Sequence, residues 1–120
     1  MPSPASTTPT PSRVLNHPRR DEVRLEAVLH ALADPMRLRV VQALAGSPGE
    51  MACGDIELAV SKSTSTHHFR VLREAGVITQ CYRGTAKMNG LRRDDLDALF
   101  PGLLDSVLAA VAGRPRPDGT

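Results

Sequence analysis

Residues 61–78 read SKSTSTHHFRVLREAGVI, a stretch with the pattern of one amphipathic helix. Ser61 is a residue type that caps helix N-termini and Gly76 one that ends helices, so the stretch predicts a helix over 62–75. One face of this helix carries small or apolar side chains, namely Ser65, Phe69, Leu72 and Ala75. The opposite face is basic and rich in short hydroxyl groups; it carries Lys62, Ser63, Thr66, His67, Arg70 and Arg73.

Two longer helices are predicted upstream. The first spans about 21–33, with an apolar stripe formed by Leu25, Val28 and Leu32. Asp34 is suited to capping a second helix over about 35–45, and Pro35 is tolerated at its first position because that residue needs no amide donor. The inward positions of this second helix are Leu38, Val41, Leu44 and Ala45.

Between 46 and 60 the elements are short. Gly46 ends the second helix, and residues 50–53 have room only for a brief strand. We expect a third, short helix over about 54–60, with its core positions at Ile56, Ala59 and Val60.

Downstream, residues 77–82 and 86–91 read as two strands joined by a tight turn at 83–85. A helical stripe of eight apolar residues follows: Leu96, Leu99, Phe100, Leu103, Leu104, Val107, Leu108 and Val111. Pro101 interrupts it, so we expect a short helix to about 99 and a second one that opens near the proline.

The 120 residues have room for one domain. We expect that domain over 20–112, between a disordered Pro-, Ser- and Thr-rich segment at 1–19 and a disordered tail at 113–120. No apolar run approaches the roughly 20 residues of a membrane span. The N-terminus lacks the apolar centre of a secretory signal, which favours a cytoplasmic protein.

The net charge is only +2, but the charges are unevenly distributed. Residues 61–93 hold seven basic side chains against Glu74 alone, whereas 21–60 and 94–113 are net acidic. A basic block within a near-neutral chain is typical of a polyanion-binding face. The only aromatic side chains are Tyr82, Phe69 and Phe100, which argues against stacking platforms for single-stranded nucleic acid.

The order helix, helix, strand, helix, helix, hairpin, helix predicts a mainly α winged helix-turn-helix with a small β-hairpin wing. Two motifs, LADPMRLR at 32–39 and the stretch at 61–78, resemble the ArsR/SmtB repressors over roughly residues 22–112. The resemblance implies a homodimeric transcriptional repressor that places a recognition helix in the DNA major groove and its wings at the backbone. It also implies a palindromic operator, with half-sites about one helical turn apart.

The residues agree with DNA binding. Ser63, Thr64 and Thr66 are short enough to let the helix lie deep in the groove, and Lys62 and His67 reach towards base edges. Four longer basic side chains are suited to phosphates: Arg70, Arg73, Arg83 and Lys87. His68 lies nearer the inner face and is expected to be structural.

The apolar stripe from Leu96 to Val111 is larger than one edge of a small core needs. We therefore assign its eight residues, together with the first helix, to a dimer interface, so that helices at both ends of the domain form it.

The chain departs from the metal-sensing pattern of the family. Cys53 stands where that pattern has a Cys-x-Cys pair, and the last helix has no histidine. A Zn²⁺ or arsenic(III) site needs three or four N or S ligands. No such cluster can be assembled, so we predict no metal and no cofactor.

Two other functions remain open, and an enzyme is the least favoured class because no nucleophile has a placed base and no phosphate-binding loop is present. A thiol-based redox sensor would use Cys53 and Cys81, which would be neighbours if their strands lie side by side at the root of the wing. A protein-interaction module is the other alternative, and the basic helix argues against it. The operator, the regulated genes and the inducing signal are not encoded in any motif of the chain.

Overall fold

The computed structural model describes residues 12–113, with side chains described from Val14 onward. In this part of the chain there are five α-helices: α1 (Leu25–Leu32), α2 (Pro35–Ala45), α3 (Lys62–Ala75), α4 (Arg93–Leu99) and α5 (Leu103–Ala112). Four strands, β1 (Ser12–Val14), β2 (Met51–Ala52), β3 (Ile78–Arg83) and β4 (Ala86–Leu91), form an antiparallel sheet in the order β1-β3-β4-β2. This arrangement is the predicted winged helix-turn-helix.

Capping explains why α2 and α3 form where the sequence predicts them. Asp34 Oδ2 accepts hydrogen bonds from the backbone N–H groups of Met36 at 2.9 Å and Arg37 at 3.0 Å. Ser61 Oγ accepts from the N–H of Thr64 at 3.2 Å. Gly76, at φ +89°, ends α3 in the left-handed conformation that glycine adopts without strain. Both predicted helices are confirmed at their predicted bounds.

The core lies between α1, α2, α3, the start of β3 and the two C-terminal helices. It includes Val28, Ala31, Val41, Leu44, Phe69, Leu72, Val77, Ile78, Leu96 and Leu104. The first helix is shorter than predicted, because a 3-10 turn at Arg20–Glu22 precedes α1. Leu25 does not belong to the buried stripe: it is 42% exposed, Leu29 is 46% exposed, and Ala31 takes the inner position.

The predicted helix over 54–60 is wrong. The structure has a 3-10 turn at Cys53–Asp55, followed by non-helical chain up to Ser61. Ile56 is buried and Leu58 and Val60 are half-buried, whereas Glu57 and Ala59 are exposed. This alternation has the period of an extended segment and follows the apolar spacing of the residues. Gly54 also disfavours a helix so short.

The hairpin has a two-residue turn, since Arg83 pairs with Ala86 and Gly84 adopts φ +67°. On its other side β3 pairs with β1, with Val14 opposite Cys81. The expectation of disorder up to residue 19 is therefore wrong for 12–19. Residues 1–11 and 114–120 of the two predicted tails lie outside the described residues.

The C-terminal stripe divides into α4 and α5 around Pro101, as predicted, although α5 begins two residues after the proline. Leu96 and Leu104 are each only 2% exposed in the single chain. They fill the core of their own protomer, so the assignment of these two residues to the dimer interface is wrong. No helix among residues 12–113 is long and apolar enough to cross a membrane.

Candidate nucleic-acid interface

Six of the nine predicted DNA contacts lie together on the solvent-exposed face of α3. They are Lys62, Ser63, Thr64, Thr66, His67 and Arg70, and all six are exposed. The inner face of the same helix packs Phe69, Leu72 and Ala75 into the core, which fixes the direction of the outer face. The structure therefore presents one continuous surface, hydroxyl-rich at the N-terminus of α3 and basic towards its middle.

The hydroxyl groups of this surface are held close to the helix. Ser61 Oγ donates to Thr64 Oγ1 at 2.9 Å, and Thr66 Oγ1 donates to the carbonyl of Lys62 at 3.0 Å. Because these short side chains stay on the backbone, the first turns of α3 have a low profile. A low profile allows a helix to approach the base edges of a major groove.

His67 and Arg70 form a pair one turn further along α3. Arg70 Nη2 donates to Nδ1 of His67 at 3.3 Å. An arginine cannot accept, so Nδ1 is unprotonated in this contact and the proton of the neutral ring is on Nε2. The pair thus presents an imidazole N–H donor and a guanidinium on the exposed face.

His68 has the structural role expected of it. It is buried, and its Nδ1 lies 3.1 Å from Nη1 of Arg37 and 3.8 Å from Oδ2 of Asp34. Arg37 is also buried, and its Nε donates to the carbonyl of Ala31 at 2.6 Å. Burial lowers the pKa of His68; the charge of Asp34 opposes this and that of Arg37 adds to it. A neutral His68 accepting from Arg37 therefore ties α3 to α2 and to the end of α1.

Arg73, predicted to contact phosphate, is directed to the protein instead. Its Nη1 donates to Oε1 of Gln80 at 2.8 Å, and Nε2 of Gln80 donates to Oδ1 of Asn89 at 2.8 Å. Asn89 Nδ2 then donates to the carbonyl of Met51 at 3.1 Å. Nε of Arg73 is buried with no hydrogen-bond partner among the described residues. Position 73 lies at the C-terminal end of α3, beside the hairpin, so this side chain braces the helix against the sheet.

The two basic residues of the wing differ in their surroundings. Arg83 is exposed at the end of β3 and forms a two-fold ion pair with Glu50, with Nε–Oε1 at 2.8 Å and Nη2–Oε2 at 3.2 Å. The Arg83 hydrogen bond lowers the pKa of Glu50 despite partial burial of that carboxyl group. Lys87, on β4, places Nζ 5.8 Å from the ring centroid of Tyr82. Arg83 is therefore already neutralised, and its partner was not predicted.

The two thiols are not neighbours. Cys81 on β3 and Ala52 on β2 pair with Met88 from opposite sides, so β4 separates Cys81 from Cys53. Strands on either side of a third lie about 9–10 Å apart, beyond the roughly 7 Å between Cα atoms that a disulfide allows. Cys53 Sγ also accepts from Asn89 Nδ2 at 3.2 Å, and Asn89 points to the face opposite that of Met88. The expected proximity of Cys53 and Cys81 is wrong.

Three of these interactions were missed from the sequence. Glu50, Gln80 and Asn89 were treated as ordinary strand residues, although Gln80 and Asn89 are 0% exposed. Strand alternation puts Gln80 on the face of Ile78, and a polar residue at an inward position was the available signal. No comparable signal marked the pairing of Glu50 with Arg83, because the two residues are 33 positions apart.

A second surface, away from α3, is apolar. It is a cleft between α1, α2 and α5, lined by Leu29, Leu32, Ala33, Leu38, Val107, Ala110 and Val111. Of the predicted interface residues, six are half-buried in the single chain: Leu99, Phe100, Leu103, Val107, Leu108 and Val111. Among the described residues no group of three or more His, Cys, Asp or Glu side chains is placed to hold a metal ion.

Comparisons with known proteins agree with this fold and this surface. A family model described as a helix-turn-helix domain matches residues 32–81, from the end of α1 into β3. The uncharacterized HTH-type transcriptional regulator YceK of Bacillus subtilis (strain 168) is 32% identical over 89 residues, which are 72% of this chain and 88% of that protein. The transcriptional repressor SdpR of the same organism is 36% identical over 59 residues, 48% of this chain and 63% of that protein.

Proposed function

The chain belongs to the helix-turn-helix transcriptional regulators, and from that premise we propose that it is a homodimeric repressor of the ArsR/SmtB type that binds a palindromic operator. The carrying observation is the outer face of α3, where six short or basic side chains are exposed on a helix capped at Ser61 and packed through Phe69 and Leu72. Similarity to a protein named a transcriptional repressor supports the direction of regulation.

The residues of this face divide between readout and positioning. Lys62 and His67 contact base edges from the groove, and Ser63, Thr64 and Thr66 make close approach possible. Arg70 contacts phosphate, which positions the helix without reading sequence. Arg73 is withdrawn from this set because its guanidinium is bonded to Gln80. Lys87 remains a candidate phosphate contact of the wing.

The apolar cleft is the proposed dimer interface. Leu25 and Leu29 on α1 are exposed large apolar side chains, and Val107 and Val111 on α5 line the same cleft as Leu29. A second copy would cover these residues, as an isologous interface requires. Two α3 helices related by the dimer axis would then read half-sites one helical turn apart.

Anisotropy titrations with labelled duplexes test the proposal. The probes are the DNA upstream of the protein's own reading frame and a random duplex of equal length. Arg70→Ala should weaken binding to both and reduce the slope of log K against log salt by about 0.9, the value for one phosphate contact. Arg24→Ala is the matched control, because Arg24 is exposed outside α3 and paired with Glu26.

Base readout makes a different prediction. Lys62→Ala or His67→Ala should narrow the difference between upstream and random DNA by about 1–3 kcal/mol and leave random-DNA affinity less affected. Equal binding of upstream and random duplexes by the wild-type protein at moderate salt would contradict sequence-specific regulation. It would favour the alternative of a winged-helix protein-interaction module.

The remaining alternative has lost its structural basis, because Cys53 and Cys81 are separated by β4 and lie on opposite faces of the sheet. A sensor that links them would need the sheet to rearrange. The cytoplasmic location, the absence of a cofactor and the absence of enzymatic activity stay predictions.

A further inference from the structure

Glu50 is placed to control the wing. The hairpin itself has no acidic residue, since none lies between Glu74 and Asp94. Glu50 stands at the start of β2, opposite Gly90 on β4, because the next residue pairs with Asn89. Gly90 presents no side chain there, and a Cβ would lie 3.7 Å from Cγ of Glu50. The carboxylate can therefore extend across β4 towards β3.

On β3 the carboxylate meets Arg83 and the thiol of Cys81. Both oxygens engage the guanidinium, at 2.8 and 3.2 Å, and Cys81 Sγ donates to Oε2 at 3.8 Å. The Arg83 side chain is 55% exposed and that of Glu50 is 32% exposed. Two parallel N–H···O bonds are also the geometry with which arginine binds phosphate. Glu50 thus holds Arg83 in the manner of a DNA phosphate.

We propose that Glu50 is a specificity-determining residue that competes with DNA phosphate for Arg83, so that the wing adds affinity only where a phosphate is well enough placed to replace the carboxylate. The inference rests on the proposed DNA-binding function. On random DNA the phosphates are not held in register with the wing, and Arg83 stays on Glu50. On the operator, α3 fixes the register and brings one phosphate to Arg83.

This competition raises the ratio of specific to non-specific binding. A permanently free arginine would bind phosphate on any duplex, and such electrostatic contacts supply most non-specific affinity. Removing the carboxylate should therefore strengthen binding to random DNA more than binding to the operator. The Glu50 charge also repels DNA generally, so release of Arg83 must be separated from simple loss of negative charge.

A double-mutant cycle makes that separation. The proteins are wild type, Glu50→Gln, Arg83→Ala and the double variant, titrated against random and upstream duplexes over a range of salt. Glu50→Gln should raise random-duplex affinity about tenfold and increase the salt slope by about 0.9, as one added charge-assisted phosphate contact would. In the Arg83→Ala background the same change should have less than about a twofold effect, because no arginine is left to release.

The matched control is Glu57→Gln, which removes an exposed carboxylate before α3 that has no arginine partner among the described contacts. An equal gain from Glu50→Gln with and without Arg83, or a gain no larger than that of Glu57→Gln, would overturn the inference and leave only a charge effect. If Arg70→Ala abolishes binding while Glu50→Gln changes nothing, the DNA-binding function stands and this inference alone fails. If wild type and Glu50→Gln both fail to bind any duplex, the proposed function itself fails.

Discussion

Gly76 joins the recognition helix α3 to the first wing strand, and replacing it with alanine should be strongly destabilising. Its φ of +89° is a conformation that costs a residue with a Cβ about 1–2 kcal/mol. The new Cβ would also lie 2.5 Å from Cγ2 and 3.2 Å from Cγ1 of Val23, and 3.4 Å from Cγ of Pro18. Val23 is β-branched and has few rotamers with which to withdraw.

Overpacking of this kind adds about 1–3 kcal/mol, so the unfolding free energy should fall by about 2–5 kcal/mol in total. Urea unfolding followed by circular dichroism measures the loss. Gly84→Ala is the matched control, because Gly84 has φ +67° and a Cβ added there would meet nothing within 4 Å. It should lose only the conformational cost of about 1–2 kcal/mol.

The contact with Val23 can be tested separately. Val23→Ala should cost less in the Gly76→Ala background than in the wild type, because it removes the clash. If Gly76→Ala loses no more stability than Gly84→Ala, the close packing of residues 18–23 against the end of α3 is refuted.

Other parts of the chain offer three more tests. Val107→Glu should convert a dimer into a monomer in light scattering because an unpaired carboxylate would be buried in the interface, whereas Ala109→Glu, on the exposed side of α5, should not; a dimeric Val107→Glu would place the interface elsewhere. Burial lowers the pKa of His17, whose Nε2 accepts a backbone hydrogen bond from β3 at 2.8 Å, so the unfolded chain binds the proton first and the free energy of unfolding should decrease as pH falls through about 6.5; His17→Gln should flatten that dependence in urea melts, and an unchanged profile would contradict the burial. Diamide should leave operator affinity unchanged, since Cys53 and Cys81 lie on opposite faces of the sheet; a loss that Cys81→Ser prevents would show that the sheet rearranges.

The parts of the fold that could be predicted are those with a local signal. Asp34, Ser61 and Gly76 mark helix ends through their own side chain or lack of one, and α2 and α3 lie where these residues put them. The hairpin follows from strand alternation around Gly84. In each case the deciding interaction spans only a few residues.

The features that could not be predicted depend on contacts between distant residues. Arg73 has the spacing of the exposed face but bonds to Gln80, and Arg83 bonds to Glu50. Leu104 has the spacing of an interface stripe but lies within the core of its own chain. Helical spacing shows which side chains share a face and does not show what that face packs against.

The most direct test of DNA recognition by α3 is selection of DNA sites from a random duplex library by the purified protein. We expect enrichment of one inverted repeat whose half-sites are about one helical turn apart. The enriched site should bind the wild-type dimer on the order of 10³-fold more tightly than random DNA, or better. Lys62→Ala or His67→Ala should reduce that ratio, and Arg24→Ala should not. A library with no enriched sequence after repeated rounds would contradict sequence-specific DNA recognition by α3.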